Sequence, residues 1–248
     1  MKIMVCGKGG CGKSSISSLL ANEYEKMGYK VLVVDYDESN FGLHRQLGVD
    51  LPKDFTLFFG SKKGIYKNLD AGEAAFDKKW SIADIPSDFC SQKANIKLVA
   101  IGKIHAANEG CACAMGTVAK EFIKNIELKD KEILICDSEA GIEHFGRGVD
   151  SAVDTILMIL DPSFESLELS SKIYKMSKDI NKNIHFIINK ADEQQYEIIK
   201  EKIADKSAIV GYINNNKDIL MSGLQGEPIK YSGNEIKNII LRDTSVDI

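Results

Sequence analysis

The stretch "GKGGCGKSS", Gly7–Ser15, fits the phosphate-binding pattern G-x-x-x-x-G-K-[ST] through Gly7, Gly12, Lys13 and Ser14. Gly7, Gly9, Gly10 and Gly12 free the backbone to curl, so that N–H groups out to Cys11 and Ser15 can close around phosphate oxygens. The start of the following helix adds its positive end. Lys13 is expected to reach the β- and γ-phosphates, and the Ser14 hydroxyl to ligate Mg²⁺. A different chemistry is carried by "EGCACAMG", where Cys111 and Cys113 are separated by one alanine. In an extended segment residues i and i+2 share a face, so both sulfurs can be presented together. Zinc–thiolate bonds of about 2.3 Å put tetrahedral sulfurs roughly 3.7 Å apart, which two such side chains can meet. An intramolecular disulfide across one residue would be strained, and two small buried residues are the plain alternative. Acids stand where apolar runs end, Asp37 in "VDYDES" and Asp137 in "ICDSEAGIEH". Open parallel sheets bind ligands at such strand ends, while ordinary caps and turns also use acids there.

These residues need a frame to hold them. Short β-branched runs alternate with helical patterns, which predicts a doubly wound α/β fold with a mainly parallel sheet of about seven or eight strands. Strands are expected at 2–6, 30–35, 96–101, 132–137, 154–160, 184–189 and 207–213. They read as continuous apolar runs, as strands covered on both faces do. Helices are expected at 13–27, 117–126, 166–180, 193–204 and 233–241. Residues 52–95 read only as short helices and loops. No repeat or linker divides the chain, so residues 1–248 are expected to form one domain. Hydrophobic residues at 44% and charged residues at 27% suit a globular domain with a substantial core. The net charge of −4 argues against a broad nucleic-acid surface. No apolar run approaches the ~18 residues of a membrane span, and the N-terminus reads as a strand before a glycine loop rather than a signal peptide. The expected compartment is the cytoplasm, where the six cysteines stay reduced. Cys6 and Cys136 then read as core residues, and Cys90 has no assigned role. His44, His105 and His185 carry no spacing signal, although His105 lies close before Cys111.

Lys8, directly after the first glycine, gives the P-loop a second lysine. The motif resembles the deviant P-loop of the MinD-like group, with the nitrogenase iron protein and the ParA-type partition ATPases. The resemblance implies that Lys8 reaches phosphates held by the other subunit of a homodimer, tying ATP binding to dimerisation. It implies that Asp37 positions the attacking water, that Asp137 holds Mg²⁺ through water, and that Gly141 belongs to a second switch. Glu139 and Glu143 could orient that switch or be solvated. "FIINKAD" supplies Asn189, Lys190 and Asp192. N-K-x-D reads guanine in GTPases, whereas the asparagine commonly contacts adenine in the MinD-like group, and the P-loop favours ATP. Departures from the pattern are Glu38 after Asp37 and Asn214 in "GYINNN", each where proline is common. Cys11 stands where valine or isoleucine is usual, and reads as a small apolar residue.

Four outputs suit such a switch. DNA binding lacks a basic stripe, and membrane binding lacks a cationic amphipathic tail. An iron-protein cluster bridge uses two well-separated cysteines per chain, and a metal chaperone uses a close pair. The order of deviant P-loop, C-x-C, "EAGIEHFGRG" (139–148) and N-K-x-D resembles the CooC-type ATPases of carbon monoxide dehydrogenase maturation across nearly the whole chain, excepting residues 52–95. That resemblance implies a metallochaperone that binds nickel, or zinc, through four thiolates at a twofold axis, Cys111 and Cys113 from each subunit. It also implies nickel delivery to a carbon monoxide dehydrogenase. The alternative is a [4Fe–4S] cluster held by the same four thiolates in a cluster carrier or ATP-dependent reductase. His144 is a conceivable nickel ligand and, more plainly, a hydrogen-bonded switch or core histidine.

Overall fold

A computed structural model describes residues 1–60, 76, 78–105, 112–142, 145, 148–231 and 233–244, with the backbone alone at 112–114 and 243–244. An eight-stranded sheet forms its centre, in the order β3-β4-β2-β5-β1-β6-β7-β8. The strands are β1 (Lys2–Gly7), β2 (Lys30–Asp35), β3 (Ser91–Lys93), β4 (Ile96–Ala100), β5 (Glu132–Asp137), β6 (Thr155–Leu160), β7 (Asn183–Asn189) and β8 (Ile209–Ile213). Every pairing is parallel except β3 with β4. The helices are α1 (Lys13–Lys26), α2 (Leu43–Leu47), α3 (Ala112–Asn125), α4 (Phe164–Asp179), α5 (Glu193–Lys202), α6 (Lys217–Gln225) and α7 (Glu235–Thr244).

Side chains of a strand alternate between faces, and the core divides accordingly. Met4, Cys6, Leu32, Val34, Leu134 and Cys136 face α3 and α4, where Phe122 and Ile173 meet them. Ile3, Val5, Val31, Val33, Ile133 and Ile135 face α1, with Ile16 and Leu20 in the same cluster, and Ile239 of α7 extends that cluster over β8. Both faces are dry, which is why these strands are apolar without alternation. Cys6 and Cys136 are core residues, as the sequence predicts.

Three differences from the expected elements matter. β3 is a short polar antiparallel edge, too brief and too hydrophilic to register as a strand. α6 was not expected: Leu220 and Leu224 are left exposed, so its apolar stripe does not face the core. α3 begins at Ala112 rather than at Thr117. The alanines of "ACAM" favour helix enough to carry it through Gly116. Cys113 therefore has helical backbone, not the extended backbone from which the i, i+2 argument started. The difficult stretch 52–95 supplies a 3₁₀ turn at Phe55–Phe59 and an aromatic cluster. There the Phe55 ring lies 4.6 Å from Phe122 and 6.2 Å from Trp80. Cys90 packs half-buried beside this cluster.

The chain leaves β1 for β2 on one side, returns through β5, and then crosses β1 to β6. That reversal opens a crevice at the carboxyl end of β1, where ligands bind in open α/β sheets.

Candidate functional site

The P-loop fills that crevice. Gly7 ends β1 at φ 144°, Gly10 has φ 79°, and Gly12 caps α1 at φ 102°. All three lie in the left-handed half of backbone space, which side chains disfavour. A Cβ on Gly7 would meet the carbonyl of Ile159 on β6, and one on Gly12 would meet the Asn189 amide. Cys11 is fully buried under the loop, as a small apolar residue would be. Burial pushes its thiol up to about 11, which disfavours a thiolate there. Lys13 is buried, and its ammonium lies 3.5 Å from the Lys8 carbonyl.

Asp137 ends β5 beneath the loop and accepts from Ser14 Oγ at 2.5 Å and from Ser17 Oγ at 3.0 Å. It is completely buried, and burial pushes its carboxyl up to about 6. The serine hydrogen bonds and Lys13 oppose that rise, while the neighbouring Asp37 charge adds to it. Ser14 Oγ also accepts from Asn40 Nδ2 at 2.6 Å. Hard oxygen donors of this kind, a hydroxyl and a carboxylate below a phosphate cradle, suit Mg²⁺.

Asp37 sits in the loop after β2. Its Oδ1 accepts from Ser39 N at 3.0 Å and Ser39 Oγ at 2.6 Å, closing a tight turn. Tyr36, buried, donates to Glu139 Oε1 at 3.2 Å, which joins this loop to the one after β5. Gly141, at φ 90°, donates its N–H to the Gly7 carbonyl at 3.2 Å. Both loops that could sense a phosphate therefore touch the P-loop or each other.

Lys8 is bound within its own chain. Its ammonium donates to Ser163 Oγ at 2.9 Å and lies 3.1 Å from Asp161 Oδ2. Both partners sit in the turn between β6 and α4, where Ser163 is the N-cap.

On the other flank, Asn189 Nδ2 donates to the Cys11 carbonyl at 2.8 Å and Lys190 Nζ to the Gly10 carbonyl at 2.8 Å. These two side chains brace the P-loop and line a cavity of about 250 Å³ with Ser15, Asn214, Ile219 and Leu224. Its apolar wall and amide rim suit a planar heterocycle. Asp192 takes a local position instead: it is the N-cap of α5, accepting from Gln195 N at 2.8 Å in a reciprocal capping box.

Several expected residues are not gathered here. Cys111, Glu143 and His144 lie outside the described residues, and Cys113 is placed by its backbone alone. His105 pairs with Asp54 Oδ2 at 3.1 Å. Among the described residues no three His, Cys, Asp or Glu side chains converge as metal ligands. No described helix is long and apolar enough to cross a membrane. The sequence reading missed Asn40, Ser17, Asp161 and Ser163, whose types carry no signal without the fold. It also missed Lys103, fully buried after β4, whose only hint was its place at the end of an apolar run.

Comparison with known proteins agrees with this geometry. Residues 2–229 match the CobQ/CobB/MinD/ParA nucleotide binding domain family. An uncharacterised ATP-binding protein of Methanocaldococcus jannaschii is 49% identical, over 97% of this chain and 98% of its own length. The carbon monoxide dehydrogenase accessory protein CooC of Rhodospirillum rubrum is 36% identical, over 77% of this chain and 74% of its own. The septum site-determining protein MinD of Pyrococcus horikoshii, solved with Mg-ADP, superposes with a TM-score of 0.66 at 18% identity. That match covers 99% of this chain and 95% of the other.

Proposed function

This chain belongs to the CobQ/CobB/MinD/ParA nucleotide-binding family, and we propose that it is a cytoplasmic, dimeric ATPase that carries a metal ion for a nickel carbon monoxide dehydrogenase. The observation that carries the ATPase part is the Ser14–Asp137 pair at 2.5 Å beneath a glycine-turned P-loop. ATP places its phosphates in the cradle of Gly7–Ser15 and its base in the cavity beside Asn189, Lys190 and Asn214. Ser14 and Asp137 would hold Mg²⁺, which neutralises phosphate charge. Lys13 meets the β- and γ-phosphates, and Asp37 orients the attacking water. Lys8 leaves Asp161 and Ser163 and stabilises developing charge in the partner's site. Glu139 and Gly141 transmit the nucleotide state from the end of β5.

The metal-carrying part rests on the Cys111-x-Cys113 pair and on the likeness to the Rhodospirillum rubrum accessory protein. Two such pairs at a twofold axis supply the four thiolates that nickel or zinc can take. The cargo is released to the client when the nucleotide changes state. Anaerobic purification with metal and acid-labile sulfide analysis tests this. One divalent ion per dimer without sulfide is expected, lost when Cys111→Ser and Cys113→Ser are combined. Iron with equimolar sulfide would replace the chaperone by a [4Fe–4S] cluster carrier or ATP-dependent reductase. Metal content untouched by the double substitution would remove the shared cysteine site.

A further inference from the structure

No step above uses the buried pair of Lys103 and Asp35, which are 0% and 2% exposed in their side chains. Lys103 lies just past β4, and its ammonium has three donors. They end on Asp35 Oδ2 at 2.7 Å, the Asp37 carbonyl at 2.6 Å and the Asn40 carbonyl at 2.6 Å. Asp35 Oδ1 accepts from the Asp37 amide at 3.2 Å. Both backbone groups of Asp37 are thus held by the two halves of one ion pair. Next to them, the Ile104 amide donates to the Glu38 carbonyl at 3.1 Å. Carbonyls 37, 38 and 40 therefore all end on the segment leaving β4. At the far end of the loop, Asn40 Nδ2 reaches Ser14 Oγ at 2.6 Å.

A buried ammonium is tolerated only when paired and fully hydrogen-bonded, and the bonds of the Lys103 ammonium to Asp35, Asp37 and Asn40 fall on this one loop or on the strand that starts it. Among the described residues the carboxylate of Asp37 accepts hydrogen bonds from Ser39 alone, within its own turn. Its position in space is inherited from its backbone, and its backbone is held by Lys103 and Asp35. We propose that Lys103 is a positioning residue for ATP hydrolysis, clamping the loop so that the Asp37 carboxylate and the Asn40 amide stand in register with Ser14. This rests on the reading of the chain as an ATPase in which Asp37 orients water. The Lys103 ammonium is buried and directed at Asp35 and the loop carbonyls, so its loss is expected to act on turnover and not on affinity.

The test uses the full chain in two forms. Lys103→Met alone leaves Asp35 buried without a counter-charge, which threatens folding. Lys103→Met with Asp35→Asn removes both charges and keeps the comparison in a folded protein. A misplacement of about 1 Å can cost on the order of 100-fold in rate. That loss is expected in kcat, with KM and the ATP dissociation constant within about threefold of wild type. Combined with Asp37→Ala, the clamp substitutions should cost less than about threefold further, because the group they position is gone. Wild-type kcat in the folded double variant overturns the proposal, as does a full loss that persists in the Asp37→Ala background. If wild type and Asp37→Ala turn over alike, the role given to Asp37 has failed, and amide exchange then judges the clamp alone. Exchange at Asn40 and Ile104 about tenfold faster in the double variant supports it, and unchanged exchange overturns it.

Discussion

Asp35 and Asp137 occupy the same place in neighbouring strands. They end β2 and β5, are paired in register across the sheet, and are both buried. Burial pushes both carboxyls up. Their partners differ. Asp35 faces the Lys103 ammonium at hydrogen-bond distance, which pulls its carboxyl back down, whereas Asp137 accepts from the hydroxyls of Ser14 and Ser17 and is drawn down by them and by the Lys13 charge. A built-in cation commits the first charge to architecture. Among the described residues no ammonium bonds the second directly, and its hydroxyl partners suit it to the mobile cation proposed for it. Adjacent, chemically identical side chains are thereby given different surroundings by what is placed opposite them.

The contrast makes its largest demand on stability. Asp35→Asn leaves Lys103 buried without a counter-charge and should cost about 3–5 kcal/mol in urea unfolding. Asp137→Asn keeps acceptors and donors for both serines and should cost less than about 1 kcal/mol. Equal losses would break the distinction. In catalysis the order reverses. Asp137→Asn should lower kcat by about 10²–10³-fold, the scale seen when one preorganised electrostatic group is removed. The same variant should erase the Mg²⁺ dependence of ATP affinity.

The protonation of Asp137 gives the next largest effect. Its carboxyl is raised from 3.8 to about 6 in the folded protein. The folded state therefore holds this proton more tightly than the unfolded chain. Its contribution to stability falls as pH rises from about 4 to about 6 and is flat above that range. For Mg²⁺ the direction is opposite: below about pH 6 the apparent affinity should drop about tenfold per unit, as the proton competes. Calorimetric titrations of Mg²⁺ and ATP across that range check the slope, and Asp137→Asn should flatten both dependences. The smallest effect belongs to the third strand-end acid. Asp161 follows β6 and pairs with Lys8, at side-chain exposures of 17% and 31%. Asp161→Asn should move thermal stability by less than about 1 kcal/mol, as partly exposed pairs do. A greater loss would make Lys8 a structural residue instead of one free to exchange partners.

Much of the frame was legible because it is written locally. The runs "KVLVVD" and "EILICD" are strands within the limits expected from their apolar character. The P-loop was legible for the same reason, since glycines and a helix start within nine residues set its shape. What escaped was set by distance. Lys103 and Asp35 are 68 residues apart, and nothing in "IGKIH" announces a buried lysine. Asp192 caps a helix, a role that its motif does not announce, because only the fold places its carboxylate. α6 escaped because its leucines line a cavity, so its apolar face points to a space that sequence periodicity reads as solvent. Cys111 and Cys113 pose another difficulty: the second half of the site proposed for them would come from another chain.

The contact between Gly12 and Asn189 reaches past the site itself. The amide that supports the Cys11 carbonyl also occupies the space where a side chain at position 12 would begin. A substitution at position 12 requires Asn189 to withdraw, and its withdrawal drops the support of the loop. A shorter residue at 189 makes room at 12, yet Gly12 still has a backbone conformation that other residues resist. As lineages drift, these two distant positions form a ratchet: either change alone is a loss, and the paired change passes through one.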